Sequence, residues 1–437
     1  MNRIILAAVI VCIGFTVAFG QSTPSGASPI TEFDVNGLKV IVKSRPSSPT
    51  VSAGLFVRGG VRHQTAAKAG LEYLALSAAT EGSTKFPRQV ARKELSRTGS
   101  TISAGAGLDF SVISLSSTRQ HFDNTWAIFT DLVINPSFTQ ADFDLVRDRT
   151  ITGLRNRGMS PDDALGMLED RILFAGHPYS VEPSGTIESV QKITLAEAKA
   201  YHRTLLATSR LLLVIVGNID AAEFRKQVTA SFGKLPRGDH KVAELPKLAF
   251  ESPSVDIAQR PLQTNYVKGV FAAPNIGDPD YYAMRVAMTI LQSRVYQEVR
   301  TRRNLSYAPN AEMGNDAANT ANIYVTTTDA NQAVSVMLDE VNKLKRDLMQ
   351  ADQLDGIAGY FLTTYYLQQE TNAAQVAELA RYELNGGGWR RSLEFLDGIQ
   401  KVTPADIRAA ANKYMKNIRF FVLGDPSSIK REIFLKV

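Results

Sequence analysis

The sequence predicts an α+β protein made of two homologous α/β domains, each a mixed sheet with helices packed on one side. The chain has 437 residues, more than a single hydrophobic core usually holds. Hydrophobic residues make up 44% and charged residues 21%, which is typical of a globular protein. The same succession of helix, apolar strand and glycine turn closes both halves, which indicates an internal duplication.

The two closing segments agree residue by residue. Gln-Lys-Ile-Thr-Leu-Ala-Glu at 191–197 corresponds to Gln-Lys-Val-Thr-Pro-Ala-Asp at 400–406. In each segment a threonine, Thr194 or Thr403, stands three residues before an acid, which is the pattern of a capping box at a helix start. Both predicted helices lead to a short apolar strand and a glycine.

The first half alternates between strand and helix patterns. Strands are predicted, from short apolar runs or alternating polarity, at 31–36, 38–43, 51–57, 101–106, 110–116 and 211–216. Helical periodicity covers 67–80, 120–174 and 195–206. Three prolines and mixed charge then indicate a linker. We therefore divide the chain into a signal peptide 1–20, an N-terminal domain 21–234, a linker 235–258 and a C-terminal domain 259–437.

The first twenty residues have the pattern of a secretory signal peptide. Arg3 precedes the apolar stretch 4–19, and Ala18-Phe19-Gly20 is a small-x-small cleavage site. The alternative, an uncleaved anchor, would need about 20 apolar residues. The sequence therefore predicts an exported, periplasmic protein with no membrane span after signal removal. Cys12, the single cysteine, lies inside this segment, so we expect no disulfide and no cysteine-based metal site in the mature protein.

The charge of the chain gives no sign of a nucleic-acid partner. The formal net charge is +6, and the basic residues are scattered among acids. Nucleic-acid binding requires basic residues clustered on one surface. We therefore interpret the charge as an ordinary solvated surface.

Five stretches, 70–87, 95–110, 135–138, 174–220 and 293–307, resemble the pitrilysin/insulinase superfamily of zinc peptidases. The similarity is to the short two-domain branch that includes mitochondrial processing peptidase, and it covers nearly the whole chain after the signal. The resemblance implies a clam shell in which each chain supplies one half-shell and two chains enclose a peptide chamber.

The zinc motif of that family is degenerate here. The family carries His-x-x-Glu-His on a helix, in which the two histidines bind zinc and the glutamate is the general base. Aligned on Gly70 and Gly82, this chain has Tyr73 and Ser77 at the histidine positions and Leu76 at the base position. The segment expected to carry the third ligand, 150–156, contains no carboxylate. We expect no metal in this chain, zinc in a partner subunit, and Glu72 and Glu81 to be solvent-facing.

The histidines offer no replacement by their spacing. The chain has five of them: His63, His121, His177, His202 and His240. No two are one helical turn apart, although distant residues can still converge in a fold. His177 lies in a His-Pro-Tyr segment, and we expect it to be structural.

Arg300 and Tyr307 match a second segment of the family. There, an arginine at a helix end precedes a tyrosine by seven positions, and the resemblance implies that both hold the substrate backbone across the chamber from zinc. A guanidinium and a phenol can both donate hydrogen bonds to a carbonyl oxygen. Taken alone, Arg300 could be a charge at a helix terminus and Tyr307 a core aromatic. Arg302 and Arg303 are assigned to the surface.

The resulting hypothesis is a non-catalytic subunit of an exported heterodimeric zinc endopeptidase. It would be inactive alone and would form a hydrolase with a homologous His-x-x-Glu-His subunit, acting on unfolded peptides. Arg300 and Tyr307 would be its substrate-binding residues. Two alternatives remain: a structural scaffold subunit without a peptidase role, and an envelope protein that binds peptides without cleaving them.

Overall fold

Two β-sheets, one in each half of the chain, organise the structure. The computed structural model describes residues 29–350 and 352–436, so the predicted signal peptide lies outside the described residues. The first half contributes strands β1 Ile30–Val35, β2 Leu38–Ser44, β3 Thr50–Arg58, β4 Thr101–Gly105, β5 Phe110–Thr118 and β6 Leu211–Gly217. The second half contributes β7 Ser254–Gln259, β8 Asn265–Ala272, β9 Asn310–Met313, β10 Thr320–Thr327 and β11 Arg419–Gly424.

Helices connect and cover the strands. The first half has α1 Leu71–Ala79, α2 Arg88–Thr98, α3 Phe122–Ile134, α4 Gln140–Arg157, α5 Pro161–Leu173, α6 Ile187–Lys192, α7 Leu195–Leu205 and α8 Ala221–Ala230. The second half has α9 Tyr281–Val295, α10 Ala330–Arg346, α11 Asp352–Gln368, α12 Asn372–Asn385, α13 Phe395–Gln400, α14 Pro404–Tyr414 and α15 Arg431–Phe434. A π-helical turn, Tyr296–Arg302, extends α9.

The two sheets have equivalent strand orders. The first runs β1-β2-β6-β3-β5-β4 and the second β7-β11-β8-β10-β9. Each contains one parallel pair, β2 with β6 and β7 with β11, and its other neighbours are antiparallel. The predicted capping boxes are present at both Thr194 and Thr403. The prediction of two homologous α/β domains with mixed sheets is therefore confirmed.

Each half also places one helix on the other half's sheet. In the first sheet every residue of β6 is buried, because α12 of the second half covers the face opposite the sheet's own helices. Reciprocally, α5 of the first half packs against β8 and β11, where Leu165 and Leu168 meet Phe421 and Leu423. These exchanged helices join the halves through two apolar interfaces.

A buried carboxylate adds a polar link between the halves. Asp109, in the turn before β5, accepts hydrogen bonds from Arg62 Nη2 at 2.6 Å and Tyr179 Oη at 2.5 Å. Its other oxygen accepts from the backbone N–H of Ala317 and the amide of Asn385, both at 2.8 Å and both in the second half. Four donors satisfy the buried charge of Asp109.

Two predicted boundaries shift. Residues 235–253 contain no helix or strand, but β7 begins at Ser254, inside the predicted linker 235–258. The helix predicted over 67–80 begins at Leu71, because Gly70 has φ +86° and interrupts the helical path. Within the described part of the chain, no helix combines the length and hydrophobicity of a membrane span.

Candidate functional site

Helix α1 carries the degenerate zinc motif. A Cβ at Gly70 would lie 2.8 Å from the carbonyl oxygen of Ser184, so glycine is required where the chain enters this helix. Tyr73 and Ser77 keep part of their surface exposed on one side of α1. Leu76 is 1% exposed and packs into the core beneath the first sheet, where a general base would have no access to water.

The segment expected to supply a third ligand lies on α4, which packs against α1. The hydroxyl of Thr150 donates to the carbonyl of Val146 at 2.8 Å, and Ile151 belongs to the core that α1 and α4 share. A phenol, a hydroxyl and alkyl groups do not make the His₂Glu set that zinc requires. Over residues 29–350 and 352–436, no three histidine, cysteine or acidic side chains form a group that could hold a metal. The residues of this site therefore do not fit zinc.

The prediction that Glu72 faces solvent is wrong. Its side chain is 0% exposed and ion-pairs with Arg210 Nη2 at 3.3 Å. The hydroxyls of Ser111 and Tyr201 donate to it at 2.5 and 2.9 Å. Burial raises the pKa of the Glu72 carboxyl, while these partners oppose the shift. Position 72 is buried because α1 is enclosed by β5 on one side and α7 on another.

Glu81 is also not solvent-facing. Its side chain is only 11% exposed, and it contacts the guanidinium groups of Arg88, Arg92 and Arg149 at 2.7–3.2 Å. These arginines come from α2 and α4, so Glu81 ties the end of α1 to both helices. The sequence around Glu81 did not indicate that these arginines would be its partners.

Two of the five histidines meet in the fold. The rings of His63 and His240 lie 4.9 Å apart in an edge-to-face arrangement. Burial and the charge of Arg210 lower the pKa of both, that of His240 to about 4. The positive charge of Arg210 disfavours binding of a metal cation by these two rings, so this pair does not replace the zinc ligands. His177 is structural as expected, since its Nδ1 accepts the Tyr179 N–H at 3.1 Å.

Arg300 and Tyr307 are brought together by the turn that follows α9. Val299 is fully buried and anchors the π-helical turn, while the N–H of Leu305 returns to its carbonyl at 2.8 Å. Asn304 has φ +52°, a conformation that asparagine tolerates, and it reverses the chain. As a result Arg300 Cζ lies 4.1 Å from the ring centroid of Tyr307, a cation–π distance.

The two members of the pair differ in exposure, and Arg300 is half-buried. Tyr307 is 79% exposed, so it is not a core aromatic. Arg302 and Arg303 both ion-pair with Glu298, whereas Arg300 has no ion-pair partner among the described residues. Of the three arginines in this turn, Arg300 is thus the one whose charge is not already engaged by an acid.

Tyr296 is a third member of this site, and the sequence analysis missed it. Its ring centroid lies 5.0 Å from Arg300 Cζ. Tyr296 precedes Arg300 by four residues, a spacing that places side chains together on a helix. That spacing was the signal available in the sequence.

Comparisons with known proteins show M16 peptidase domains in this chain. Residues 39–165 match the family model described as insulinase (peptidase family M16), and residues 192–384 match the one described as peptidase M16 inactive domain. An uncharacterized zinc protease of Mycobacterium leprae is 24% identical over 417 residues, which cover 90% of this chain and 91% of that protein. A non-peptidase homolog of Helicobacter pylori is 23% identical over 412 residues, 90% of this chain and 93% of its own.

A solved structure shows the same fold. The crystal structure of a peptidase M16 inactive domain from Pseudomonas fluorescens superimposes with a TM-score of 0.82 at 20% sequence identity. The superposition covers 90% of this chain and 98% of that one. The arrangement of both sheets and their helices is therefore that of a known architecture.

Proposed function

The chain belongs to the insulinase family of M16 peptidases, and we propose that it is the non-catalytic subunit of an exported heterodimeric zinc endopeptidase. Residues 192–384 match the model described as the inactive domain of that family. The positions of the zinc motif hold Tyr73, Leu76 and Ser77, which supply neither ligands nor a base. A homologous partner with His-x-x-Glu-His would supply both the zinc and the base, and this chain would form half of the peptide chamber.

The stacked Arg300 and Tyr307 are the observation that carries the proposal. Both can donate hydrogen bonds, and Arg300 is half-buried beside the exposed Tyr307. The guanidinium and the phenol would hold the carbonyl oxygen of a substrate peptide and stabilise the negative charge that it gains during hydrolysis. The cation–π contacts with Tyr296 and Tyr307 would keep the guanidinium oriented before the peptide arrives.

Export belongs to the same proposal. The signal-peptide pattern at 1–20 would direct the chain to the periplasm, where it would meet its partner and unfolded peptides. No nucleic acid has a part in this function.

The test is hydrolysis of a fluorogenic peptide by a zinc-bearing relative from the same source, with and without this chain. We expect activity to require the chain and to fall roughly 10²-fold with Arg300→Ala, the usual loss for one donor to a developing oxyanion. Arg302→Ala is the matched control, because Arg302 lies on the same turn but is bound to Glu298. Co-sedimentation of each variant with the partner shows whether assembly is intact.

Two results would count against the proposal. If the relative is equally active with and without this chain, the two-subunit enzyme is excluded for that partner. If the complex forms and Arg300→Ala behaves like Arg302→Ala, the chain is a scaffold subunit whose Arg300 does not contact substrate.

A further inference from the structure

A deep groove opens in the second half between α9, β9 and α11. It encloses about 1020 Å³. Its apolar wall includes Met288, Met349, Phe361 and Phe395. Methionines adapt to different neighbours and aromatic rings offer large contact areas, so this wall suits apolar side chains of varied shape.

Strand β9, which also lines the groove, carries the hydrogen-bonding groups of a peptide backbone. Strand β9 lies at the edge of its sheet and, among the described strands, pairs only with β10. On its outer side the N–H of Ala311 donates to Gln292 Oε1 at 2.5 Å, and the carbonyl of Met313 accepts from Arg285 Nη1 at 2.7 Å. A side-chain amide presents the same donor and acceptor as a peptide group, so an added strand can replace Gln292 there.

The groove approaches the Arg300 and Tyr307 pair through Tyr296. Tyr296 and Gln297 line the groove, and Arg300 Cζ lies 5.0 Å from the Tyr296 ring centroid. From Arg285 to Tyr296 the helix α9 extends about 17 Å at ~1.5 Å per residue, which corresponds to about five residues of extended chain. An extended segment of about five residues would therefore span the groove from Arg285 to Tyr296.

We propose that this groove binds an extended peptide segment with apolar side chains, which runs from Arg300 and Tyr307 along β9. The inference rests on the proposed function, because it treats the pair and the groove as contacts of one peptide. The segment would place alternate side chains against the methionine and phenylalanine wall, as a strand added to a sheet edge does. The groove thus adds a preference for apolar residues beyond the backbone contacts at Arg300.

Two glycines of α11 provide a matched test. Gly356 lines the groove, and a Cβ added there meets no atom within 4 Å. Gly359 lies on the same helix with equally open surroundings but does not line the groove. Gly356→Trp therefore fills the groove, and Gly359→Trp controls for a tryptophan on α11.

Binding is measured on the isolated chain by fluorescence anisotropy. The probe is a labelled peptide of about ten residues rich in Leu, Val and Phe, which is longer than the groove. It is compared with a peptide of the same length in which these apolar residues are replaced by serine. We expect Gly356→Trp to weaken binding of the apolar peptide by about tenfold or more, the effect of losing a buried anchor. Gly359→Trp should bind like the unchanged chain, and the serine peptide should bind at least about tenfold more weakly.

Each contrary outcome overturns the groove proposal. Equal binding by both tryptophan variants, or equal binding of the two peptides, excludes apolar recognition at this site. If Gly356→Trp changes the sedimentation coefficient but not peptide binding, the groove is a contact between copies of the chain. If peptide binding depends on the groove but the chain has no effect on hydrolysis by the partner, only the heterodimer proposal is contradicted. Failure of the groove proposal can therefore be told apart from failure of the proposed function.

Discussion

Glu72 has a carboxylate that is fully buried within the first half. It stands one position before Tyr73 on α1 and is bound by Arg210, Ser111 and Tyr201, which come from β6's start, β5 and α7. A buried charge is stable only when it is paired and hydrogen-bonded. Glu72 therefore joins the elements around α1 by contacts that require no metal.

Glu72→Leu is expected to lower the free energy of unfolding by about 3–5 kcal/mol, because it leaves Arg210 buried without its acid. Arg210 is only 6% exposed in its side chain and cannot turn to water without a rearrangement. Urea denaturation followed by circular dichroism measures the loss.

A second variant separates this explanation from simple loss of packing. Glu72→Leu combined with Arg210→Met replaces the ion pair by apolar groups and should recover most of the lost stability. If the double variant is as unstable as Glu72→Leu, the unpaired arginine is not the cause.

At the candidate site, the sequence was a better guide to which residues belong to the site than to which of them are in contact. The seven-residue spacing of Arg300 and Tyr307 was visible in the sequence, and the structure brings the two side chains together. The contact between His63 and His240 was not predictable, because it depends on where the segment after residue 234 packs. Neither the sequence around His63 nor the sequence around His240 has a periodicity that indicates where this segment packs.

The two capping boxes are interactions at the start of single helices. At α7 the Thr194 hydroxyl accepts the N–H of Glu197, and the Glu197 carboxylate accepts the N–H of Thr194 at 2.8 Å. The pKa of Glu197 falls to about 2, chiefly because Lys68 and the Thr194 backbone N–H bind its charged form. Thr403 and Asp406 repeat the arrangement at α14. The capping boxes were predictable because the threonine and the acid lie three residues apart, whereas the contact of Lys68 with Glu197 spans 129 residues and was not.

Thr194→Ala is expected to reduce the free energy of unfolding by about 1 kcal/mol, the usual value of an N-cap hydroxyl. Thr204→Ala near the end of the same helix is the control, since its hydroxyl bonds only the carbonyl of Tyr201 in the preceding turn. Thermal denaturation should show a clear decrease in Tm for the first variant alone. Equal decreases would mean that the box contributes nothing specific to α7.

On the scale of the whole molecule, the halves are joined by α5 and α12. Glu378 on α12 is half-buried against the first sheet, near Lys43 of β2. Burial raises the pKa of the Glu378 carboxyl to about 7, although Lys43 and Arg381 lower it in part. The ionised carboxylate is therefore less favoured in the folded chain than in the unfolded one.

This shift predicts a pH dependence of stability. A carboxyl whose pKa is raised from 4.5 to about 7 on folding stabilises the native state at low pH, and this stabilisation is lost as pH rises through that interval. Glu378→Gln should match the unchanged chain below about pH 4 and be more stable at about pH 8. Urea midpoints across this range test the prediction, and a variant that is less stable at about pH 8 would contradict it.

Residues close together in the chain, together with a family pattern, were enough to predict the two α/β domains, their strands and capped helices, the loss of the zinc motif and the Arg300–Tyr307 spacing. The burial of Glu72 and Glu81, the packing of α5 and α12 on the sheet of the other half, and the groove beside β9 could be seen only in the folded chain. These depend on which surfaces meet after folding, and local periodicity and propensity do not specify the partner of a buried face.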